Sequence, residues 1–429
     1  MGKPNDPAGG SAGPSSVLKN RSYYCNPGQG PFGVVWGLMR YLWARSSLAM
    51  VQKCNRVPWG MGVDVFRERG PEGDFRVSFM GYCLCSSVWA CPMCAPKIRR
   101  RRAQLLAADL IGAVVEGRGL VFLTLTVPHD QGSDLNLLFK AVTGAWNDVC
   151  NDRTVRQFFG DYGVDFARAT EVTWGLNGFH PHLHVAVVLG QPLNREQVAV
   201  LRRIVFDPWC RSVQRSGYRP PKFKFGVHAI NVLRKTDSPA AIGEYLSKIE
   251  GLSNELTRLD RKDRSKTIGP FEILRRAAEG DERMAAVWHD YEQGTKGKRA
   301  LTFSRTWKER VSSLVQPSDE ELSGDELGSG AEWVGMLAND EALALSRIPN
   351  GHEVFMDLLG DESPEAFRKA VEWLCLEVEA VNPDAPWYST ARGKLLLGGG
   401  LRGEYPEAFA AVESKSSREL PDSLQEVLF

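Results

Sequence analysis

The feature that most constrains the fold is a pair of strand-like runs, residues 166–174 and 179–189, joined by a short connection that contains Asn177-Gly178. An Asn-Gly pair between two such runs is a strong signal for a β-hairpin, because both residues tolerate the backbone conformations of tight turns. The sequence therefore predicts an antiparallel strand pair in this part of the chain.

The second run contains three of the seven histidines of the chain within five residues, His180, His182 and His184. Side chains alternate between the two faces of a strand, so the histidines share one face and Leu183 and Val185 lie on the other. Two imidazoles two residues apart on a rigid strand can bind one divalent cation. A single histidine on a sheet is usually only a polar surface residue, but three on one face favour a metal site.

Glu171 is the candidate third ligand, and its position depends on the length of the hairpin loop. If residues 175–178 form a four-residue loop, Glu171 lies opposite His182; if Asn177-Gly178 alone form the loop, it lies opposite His184. An odd-length loop would place Glu171 on the other face. A carboxylate with two imidazoles and open coordination positions suits Mg²⁺ or Mn²⁺ acting as a Lewis acid on a phosphate.

Helices and strands alternate around this pair. Apolar periodicity predicts further strands near residues 120–127 and 227–232, and helices near residues 105–111, 135–149, 195–206, 239–250 and 365–378. This pattern is typical of an α+β protein built on an antiparallel sheet with flanking helices.

Charge is distributed unevenly along the chain. Residues 1–310 contain 45 Lys/Arg and 29 Asp/Glu, whereas residues 311–429 contain 8 and 23. The basic part indicates a polyanionic partner, and the acidic part is a poor candidate for DNA contact.

No apolar run reaches the about 18 residues that a membrane span needs, and the start of the chain lacks the apolar core of a signal peptide. We therefore expect a cytoplasmic protein with no membrane partner.

Composition and charge together predict five regions. We expect a disordered leader at residues 1–20, a zinc-binding module with a basic helix at 21–115, a sheet domain at 116–312, an acidic linker at 313–330, and an acidic, mainly helical C-terminal region at 331–429.

Four of the nine cysteines are concentrated between Cys83 and Cys94. In a cytoplasmic protein such clustering indicates a metal site rather than disulfides. Cys91 and Cys94 form a CxxC pair, and Cys85 with either Cys83 or Cys54 completes four thiolates, the ligand set of a structural Zn²⁺ site.

A run of four arginines, Arg99, Arg100, Arg101 and Arg102, follows the cysteine pair. Such a run is usually a solvated helix face. Directly after a zinc-binding segment in a basic region, it equally indicates contact with DNA phosphates.

Tyr245 and Lys248 are three residues apart in a helical pattern, so they share one helix face. A lysine in this position can hold a phosphate or assist a phenolate. The pair alone is more often structural, and its place after the histidine strand is what favours a catalytic role.

Three motifs in this order resemble those of the HUH endonucleases, specifically the single-tyrosine replication initiators of bacterial rolling-circle plasmids. The motifs are Phe122-Leu123-Thr124-Leu125-Thr126, His180-Pro181-His182-Leu183-His184 and Tyr245-Leu246-Ser247-Lys248. The resemblance extends to the cysteine segment upstream and to residues 297–305 downstream, and so covers residues 50–310. It also places a cysteine at Cys54, which favours Cys54 over Cys83 as the fourth zinc ligand.

The resemblance implies an HUH-type fold, a compact ferredoxin-like or RRM-like palm with the histidine pair on a central strand, in which residues 116–312 form the catalytic domain. It implies that a metal ion polarises a phosphate of single-stranded origin DNA, which Tyr245 attacks with help from Lys248. A 5′-phosphotyrosine and a free 3′-OH would result. His180 would contact the phosphate or support the metal ligands, and a host helicase and polymerase are the implied partners beside plasmid DNA.

The sequence departs from the family pattern at position 241. Related initiators carry a glutamate one helical turn before the tyrosine, where it activates water for the terminating cleavage, but this chain has Ala241. Glu244 lies about 100° around the helix from Tyr245.

Two alternative functions are a conjugative relaxase or transposase of the same superfamily, and a non-catalytic zinc-dependent DNA-binding regulator. The regulator would leave the histidine and tyrosine motifs without a role.

Overall fold

The computed structural model describes residues 31–70, 75–231, 267–310, 317–324, 327–360 and 363–381. The strands in these ranges are β1 (Val63–Arg69), β2 (Phe75–Met80), β3 (Gly119–Thr126), β4 (Asp165–Gly175), β5 (Gly178–Leu189), β6 (Val227–Asn231), β7 (Thr267–Ile268), β8 (Leu301–Phe303) and β9 (Glu332–Leu337).

The helices begin before the first sheet and continue through the C-terminal region. Those in the first half are α1 (Pro31–Arg45), α2 (Ala49–Lys53), α3 (Cys94–Val115), α4 (Leu135–Asn151), α5 (Arg153–Asp161), α6 (Arg195–Arg215) and α7 (Phe223–Gly226). Those that follow are α8 (Pro270–Ala278), α9 (Glu282–Thr295), α10 (Arg305–Arg310), α11 (Asp319–Ser323), α12 (Asn339–Arg347), α13 (Gly351–Leu359) and α14 (Ala366–Val381). Among the helices described, none combines the length and the apolar character needed to cross a bilayer.

Two antiparallel sheets with flanking helices make up the fold, which confirms the predicted α+β class. The large sheet has the strand order β6-β3-β5-β4-β7, and β8 also pairs with β4. Its strands β3, β4, β5 and β6 lie within two residues of the predicted limits. The predicted helix near 195–206 is longer than expected and continues to Arg215.

The β4–β5 hairpin has the register of the four-residue loop. Gly175 pairs with Gly178, and Glu171 therefore lies opposite His182 rather than His184. Gly178 has a φ of 84°, a left-handed conformation that favours glycine, and a Cβ at this position would lie 3.2 Å from backbone atoms of Gln131. The turn thus determines which histidine faces the carboxylate.

We call the face of the large sheet that carries the three histidines of β5 the histidine face. Helices α4 and α6 cover the opposite face, where Leu183 and Val185 pack in one cluster with Trp146 and Trp209. Burial of such side chains stabilises the sheet by about 25 cal/mol per Å² of apolar surface. A well-packed layer on this side supports the histidine strand from behind.

Helices α3 and α10 cover one end of the histidine face. Leu106 and Leu110 of α3 pack with Trp307 of α10 on Phe122 and Ala186 of the sheet. The histidines lie toward the other end of the same face, in the first half of β5.

The small sheet joins segments that are far apart in sequence. Its order is β2-β1-β9, so the acidic C-terminal region supplies a strand to the hairpin that precedes the cysteine cluster. Trp36 of α1, Val65 of β1, Leu337 of β9 and Phe355 of α13 belong to one buried cluster. The described part of the C-terminal region therefore shares its core with the cysteine-bearing region.

Residues 317–324 lie inside the segment expected to be an acidic linker, but they form α11 and pack on α3. Ser318 caps α11 by accepting a hydrogen bond from the Glu321 amide. Arg101 of α3 donates to the carbonyl oxygens of Leu322 and Gly324, at 2.7 and 2.8 Å. This part differs from a linker because a buried arginine satisfies carbonyl groups at the end of the helix.

The predicted helix at 239–250 and the predicted leader at 1–20 lie outside the described residues, as does the chain after Val381. The five predicted regions stay predictions in their limits.

Candidate metal centres

Glu171, His182 and His184 come together on the histidine face. Glu171 Oε2 lies 3.1 Å from His182 Nε2 and 3.1 Å from His184 Nε2. All three side chains are largely buried, with 9%, 5% and 8% of their residue surfaces exposed. Their ligand atoms lie within 4.8 Å of one another, as in a group that can hold a metal ion.

The neighbouring hydrogen bonds set the orientation of both imidazoles. His182 Nδ1 lies 3.2 Å from the His180 carbonyl oxygen, and His184 Nδ1 lies 3.4 Å from Thr124 Oγ1. A carbonyl can only accept, so His182 carries its proton on Nδ1 and presents the lone pair of Nε2 to Glu171. Metal-binding histidines commonly have this arrangement, in which the other ring nitrogen donates to a carbonyl.

The three ligands fit a divalent cation. A lone pair of an imidazole facing a carboxylate oxygen is repulsive unless a cation or a proton lies between them. Adjacent ligands of an octahedral ion with bonds of about 2.1 Å are separated by about 3.0 Å, close to the two distances of 3.1 Å measured here. Three protein ligands leave other coordination positions for a substrate.

The electrostatics of the carboxylate agree with this arrangement. Burial raises the pKa of Glu171, but when a proton on the imidazole Nε2 atoms takes the place of a cation, the hydrogen bonds and charge of His182 and His184 outweigh burial and hold the pKa well below its ordinary value. Glu171 is therefore a carboxylate at neutral pH, which is the form that binds cations.

His180 does not join the three ligands; it faces His129, which sequence reasoning did not single out. The two Nδ1 atoms are 3.2 Å apart, and His129 Nδ1 lies 3.1 Å from the Val127 carbonyl oxygen. Burial and the neighbouring charges of His182 and His129 lower the pKa of His180 to about 3, so it is neutral at physiological pH. The available signal for His129 was its position just beyond β3, the strand paired with β5.

Four cysteines form the second centre. The sulfur of Cys54 lies 3.6 Å from that of Cys91 and 3.5 Å from that of Cys94, and the sulfurs of Cys85 and Cys94 are 3.8 Å apart. Four thiolates at about 2.3 Å from a Zn²⁺ ion lie about 3.8 Å apart in a tetrahedron. The spacing therefore fits a structural zinc site.

Cys54, not Cys83, completes this group. Cys83 is buried, but the group of four that can hold a metal consists of Cys54, Cys85, Cys91 and Cys94. The backbone amide of Cys85 and the side-chain amide of Asn55 donate to the sulfur of Cys54 at 3.4 and 3.3 Å. Amide donors of this kind stabilise a thiolate.

The arginine run is mostly engaged within the protein. Arg99 is 5% exposed, donates to the Val88 carbonyl oxygen at 3.0 Å and stacks on Trp89. Arg101 is equally buried beneath α11, and Arg102 forms an ion pair of 2.6 Å with Asp319. Phosphate contact was expected for all four residues, but burial and carbonyl partners are inconsistent with it for Arg99 and Arg101.

Tyr245 and Lys248, the predicted nucleophile and its assistant, lie outside the described residues. Their roles stay predictions.

Comparisons with known proteins agree with the resemblance to replication initiators. A sequence model of the family described as replication protein matches residues 81–332. A Streptomyces lividans protein described as "Protein rep" is 26% identical over 290 residues, which cover 53% of this chain and 63% of that protein. A "Neomycin resistance protein" of Streptomyces cyanogenus is 24% identical over 139 residues, 26% of this chain and 31% of that protein.

The chain thus spans less than two thirds of either curated relative. No solved structure matches it significantly. The family match covers more than half of the chain and includes both candidate metal centres except Cys54. The chain belongs to the replication protein family.

Proposed function

We propose that this member of the replication protein family is a plasmid replication initiator, which nicks one strand at its origin and later rejoins it in rolling-circle replication. The observation that carries the proposal is the group of Glu171, His182 and His184, whose ligand atoms lie 3.1 Å apart in two of the three pairs. Regulators that only bind DNA have no need of such a site.

The sheet topology supports an HUH-type fold for the catalytic region. In the order β6-β3-β5-β4-β7, the strand that carries the histidines is the central one. The first motif lies on β3, where Thr126 pairs with His182 and Thr124 pairs with His184. Two sequence motifs are thus adjacent in space, as the family pattern requires.

The proposed chemistry divides between the three metal ligands and Tyr245. A Mg²⁺ or Mn²⁺ ion bound by Glu171, His182 and His184 would act as a Lewis acid on an oxygen of the scissile phosphate. The phenolic oxygen of Tyr245 attacks phosphorus and loses its proton, the bond from phosphorus to the 3′ oxygen breaks, and that oxygen leaves as a 3′-OH. Lys248 assists by stabilising the phenolate or the phosphate charge.

The phosphotyrosine keeps the strand attached to the protein, so the reverse reaction can rejoin DNA at the same site. The free 3′-OH is the primer that a host polymerase extends, and a host helicase would separate the strands ahead of it. The four cysteines are proposed to hold a structural Zn²⁺ beside this region.

The test is covalent capture of DNA. The full-length protein is incubated with single-stranded DNA from its own plasmid and Mn²⁺, and the adduct is measured on a denaturing gel and mapped by peptide mass spectrometry. We expect DNA on Tyr245, and no adduct from Tyr245→Phe, because the substitution removes only the attacking oxygen. Lys248→Ala should slow adduct formation without abolishing it.

Tyr162→Phe is the matched control, because Tyr162 lies at the end of α5 and its hydroxyl accepts from Gln197 at 2.9 Å. This variant should form adduct at the wild-type rate. Origin binding with no adduct under any metal condition would favour a non-catalytic regulator, and adduct on another tyrosine would refute the role of Tyr245. An unaltered yield after removal of metal with EDTA would refute the metal mechanism.

A further inference from the structure

Four consecutive exposed residues, Lys222, Phe223, Lys224 and Phe225, precede the edge strand β6. Phe223 is 40% exposed and Phe225 is 65% exposed. A contiguous exposed apolar patch rimmed by polar residues often marks a binding site. We call these four residues the KFKF segment.

The KFKF segment is held in place by its neighbours. Arg202 of α6 donates to the carbonyl oxygens of Phe223 and Val227, at 2.7 and 2.6 Å. The Phe223 ring packs edge-on against Phe206, with centroids 4.9 Å apart, and lies under the Arg202 guanidinium at 4.2 Å. Phe223 is therefore an anchor. The Phe225 ring is more exposed, and the Lys224 ammonium lies 5.5 Å from its centroid.

The segment lies directly beside the candidate catalytic centre. Thr126 Oγ1 donates to the Phe225 carbonyl oxygen at 2.8 Å, and Thr126 is paired with His182. Since neighbouring strands are about 4.8 Å apart, the backbone of Phe225 lies about 10 Å from that of His182. A DNA strand held at the metal centre would reach the segment within a few nucleotides.

The adjoining edge strand continues the same surface. Thr124 pairs with His184 on one side and with His228 on the other, so His228 projects from the histidine face. His228 is exposed, and Ile230, two residues further along β6, is 46% exposed. Among the described residues, the metal ligands and the exposed His228 of β6 therefore lie on the same face of the large sheet.

We propose that Lys222, Lys224 and Phe225 bind the single-stranded DNA that flanks the nick, with the Phe225 ring stacked on a base and the two lysines on phosphates. The inference rests on the proposed function and assigns one strand-binding surface to it. Single-stranded DNA fits because it offers both unpaired bases and a regular row of negative charge, and stacking on aromatic rings tolerates any base. A duplex keeps its bases stacked within the helix and would contact only the lysines.

Phe225→Ala tests the stacking. The probe is a fluorescent oligothymidylate, and its affinity for the full-length protein is measured by anisotropy, with a duplex of equal length in parallel. Loss of one stacked base should weaken single-strand binding by about 5- to 150-fold and leave duplex binding almost unchanged. Phe225→Trp, which keeps an aromatic ring, should bind the single strand as tightly as the wild type. Trp333→Ala, which removes a 56% exposed ring from the small sheet, is the matched control and should have no effect.

Lys222→Ala and Lys224→Ala test the phosphate contacts through salt dependence. Each should lower the slope of log affinity against log salt by about 0.7, the value for one phosphate of a single strand. Lys308→Ala is the matched control, because Lys308 is exposed on α10 at the opposite edge of the large sheet. Unchanged slopes and unchanged affinity for the Phe225 variant, or losses confined to the duplex, would overturn the inference.

The inference and the proposed function fail separately. If Phe225→Ala binds oligothymidylate as the wild type does while the wild type forms covalent adduct, the surface is wrong and the function stands. If the variant loses affinity while the wild type forms no adduct, the surface stands and the nicking activity is wrong.

Discussion

The two candidate metal centres differ in their ligands and in what surrounds them. The cysteine centre brings together four sulfur atoms, with three measured spacings of 3.5 to 3.8 Å, which fit a complete tetrahedral set of ligands. The histidine centre has two nitrogens and one carboxylate, which leave coordination positions free. Closed sites with four protein ligands are structural, and sites with three protein ligands are those that bind substrates.

The two centres also differ in how far apart their residues lie in the sequence. Cys54 is 31 residues from Cys85, and the cluster ties together segments that share a core with the C-terminal region. Glu171, His182 and His184 all lie on one hairpin that would fold without a metal, because its other face is buried against α4 and α6. Removal of metal should therefore unfold the region around the cysteine centre, whereas at the histidine centre it should abolish activity and leave the fold intact.

The largest effect expected is on activity at the histidine centre. His184→Ala should lower nicking of single-stranded origin DNA by more than about 100-fold, because outright loss of a metal ligand exceeds the 10- to 100-fold typical of losing its hydrogen-bond support. The melting temperature should change little. The measurement is adduct yield with Mn²⁺, together with a thermal unfolding curve. His289→Ala, at an exposed histidine of α9, should retain full activity.

The contrast between a structural cysteine centre and a catalytic histidine centre is wrong if His184→Ala unfolds the protein. In that outcome the histidine centre would be structural as well, and its three ligands would no longer distinguish it from the cysteine centre.

The second effect is on stability at the cysteine centre. Cys91→Ser should release the bound Zn²⁺ and lower the free energy of unfolding by more than about 4 kcal/mol, a loss typical of removing a structural metal. Elemental analysis and denaturant unfolding measure the two changes. Cys83→Ser is the matched control at a buried cysteine outside the group, and it should keep its zinc and lose only about 1 kcal/mol. Zinc lost from both variants would make Cys83 a ligand.

How much the sequence could predict also separates the two centres. The histidine site follows from local rules, because strand alternation places His182 and His184 on one face and hairpin pairing places Glu171 among them. Whether Glu171 lies on the histidine face, and opposite which histidine, depended on the length of the turn, and the structure places it opposite His182. Local periodicity was sufficient for strands β3 to β6 for the same reason.

The remaining features depend on contacts that are distant in sequence. No local pattern pairs β9 with β1, whose residues are about 270 positions apart, or buries Arg101 under α11. His129 was missed because a lone histidine after a strand carries no periodicity, and its meaning comes from the 3.2 Å approach to His180. Side-chain partners across such distances cannot be read from spacing.

The third effect is a pH dependence in the cysteine-bearing region, which sharpens the contrast in stability. His352 of α13 is fully buried, stacks on Trp36 at 3.8 Å, and has a pKa lowered to about 3 by burial and by Arg40. In the unfolded chain the His352 imidazole is protonated near pH 6.5, whereas in the folded chain it is protonated only near pH 3. Between these values acid favours unfolding, by about 1.4 kcal/mol per pH unit.

His352→Phe keeps a ring beside Trp36 and removes the titration. Relative to the variant, the wild type should lose about 2.3 kcal/mol of stability between pH 6.5 and 4.5, because the unfolded imidazole is already half protonated at pH 6.5. Denaturant unfolding at both pH values, with zinc present throughout, gives this difference directly, since other titrating groups cancel between the two proteins. Parallel pH curves would show that His352 is not buried in its neutral form.

The smallest effect concerns the arginine run between the two centres. Arg100 is half-buried, and no hydrogen bond or ion pair of its side chain occurs within the described ranges, whereas Arg102 pairs with Asp319. Arg100→Ala should lower the salt slope of DNA binding by about 0.7 to 0.9, one phosphate contact, with unchanged stability. Arg102→Ala should leave the salt slope unchanged. It should lower the free energy of unfolding by about 0.5 kcal/mol, since partly exposed ion pairs contribute little. If both variants leave the slope unchanged, the run supports the fold alone, and the DNA surface belongs entirely to the side of the protein that carries the histidine centre.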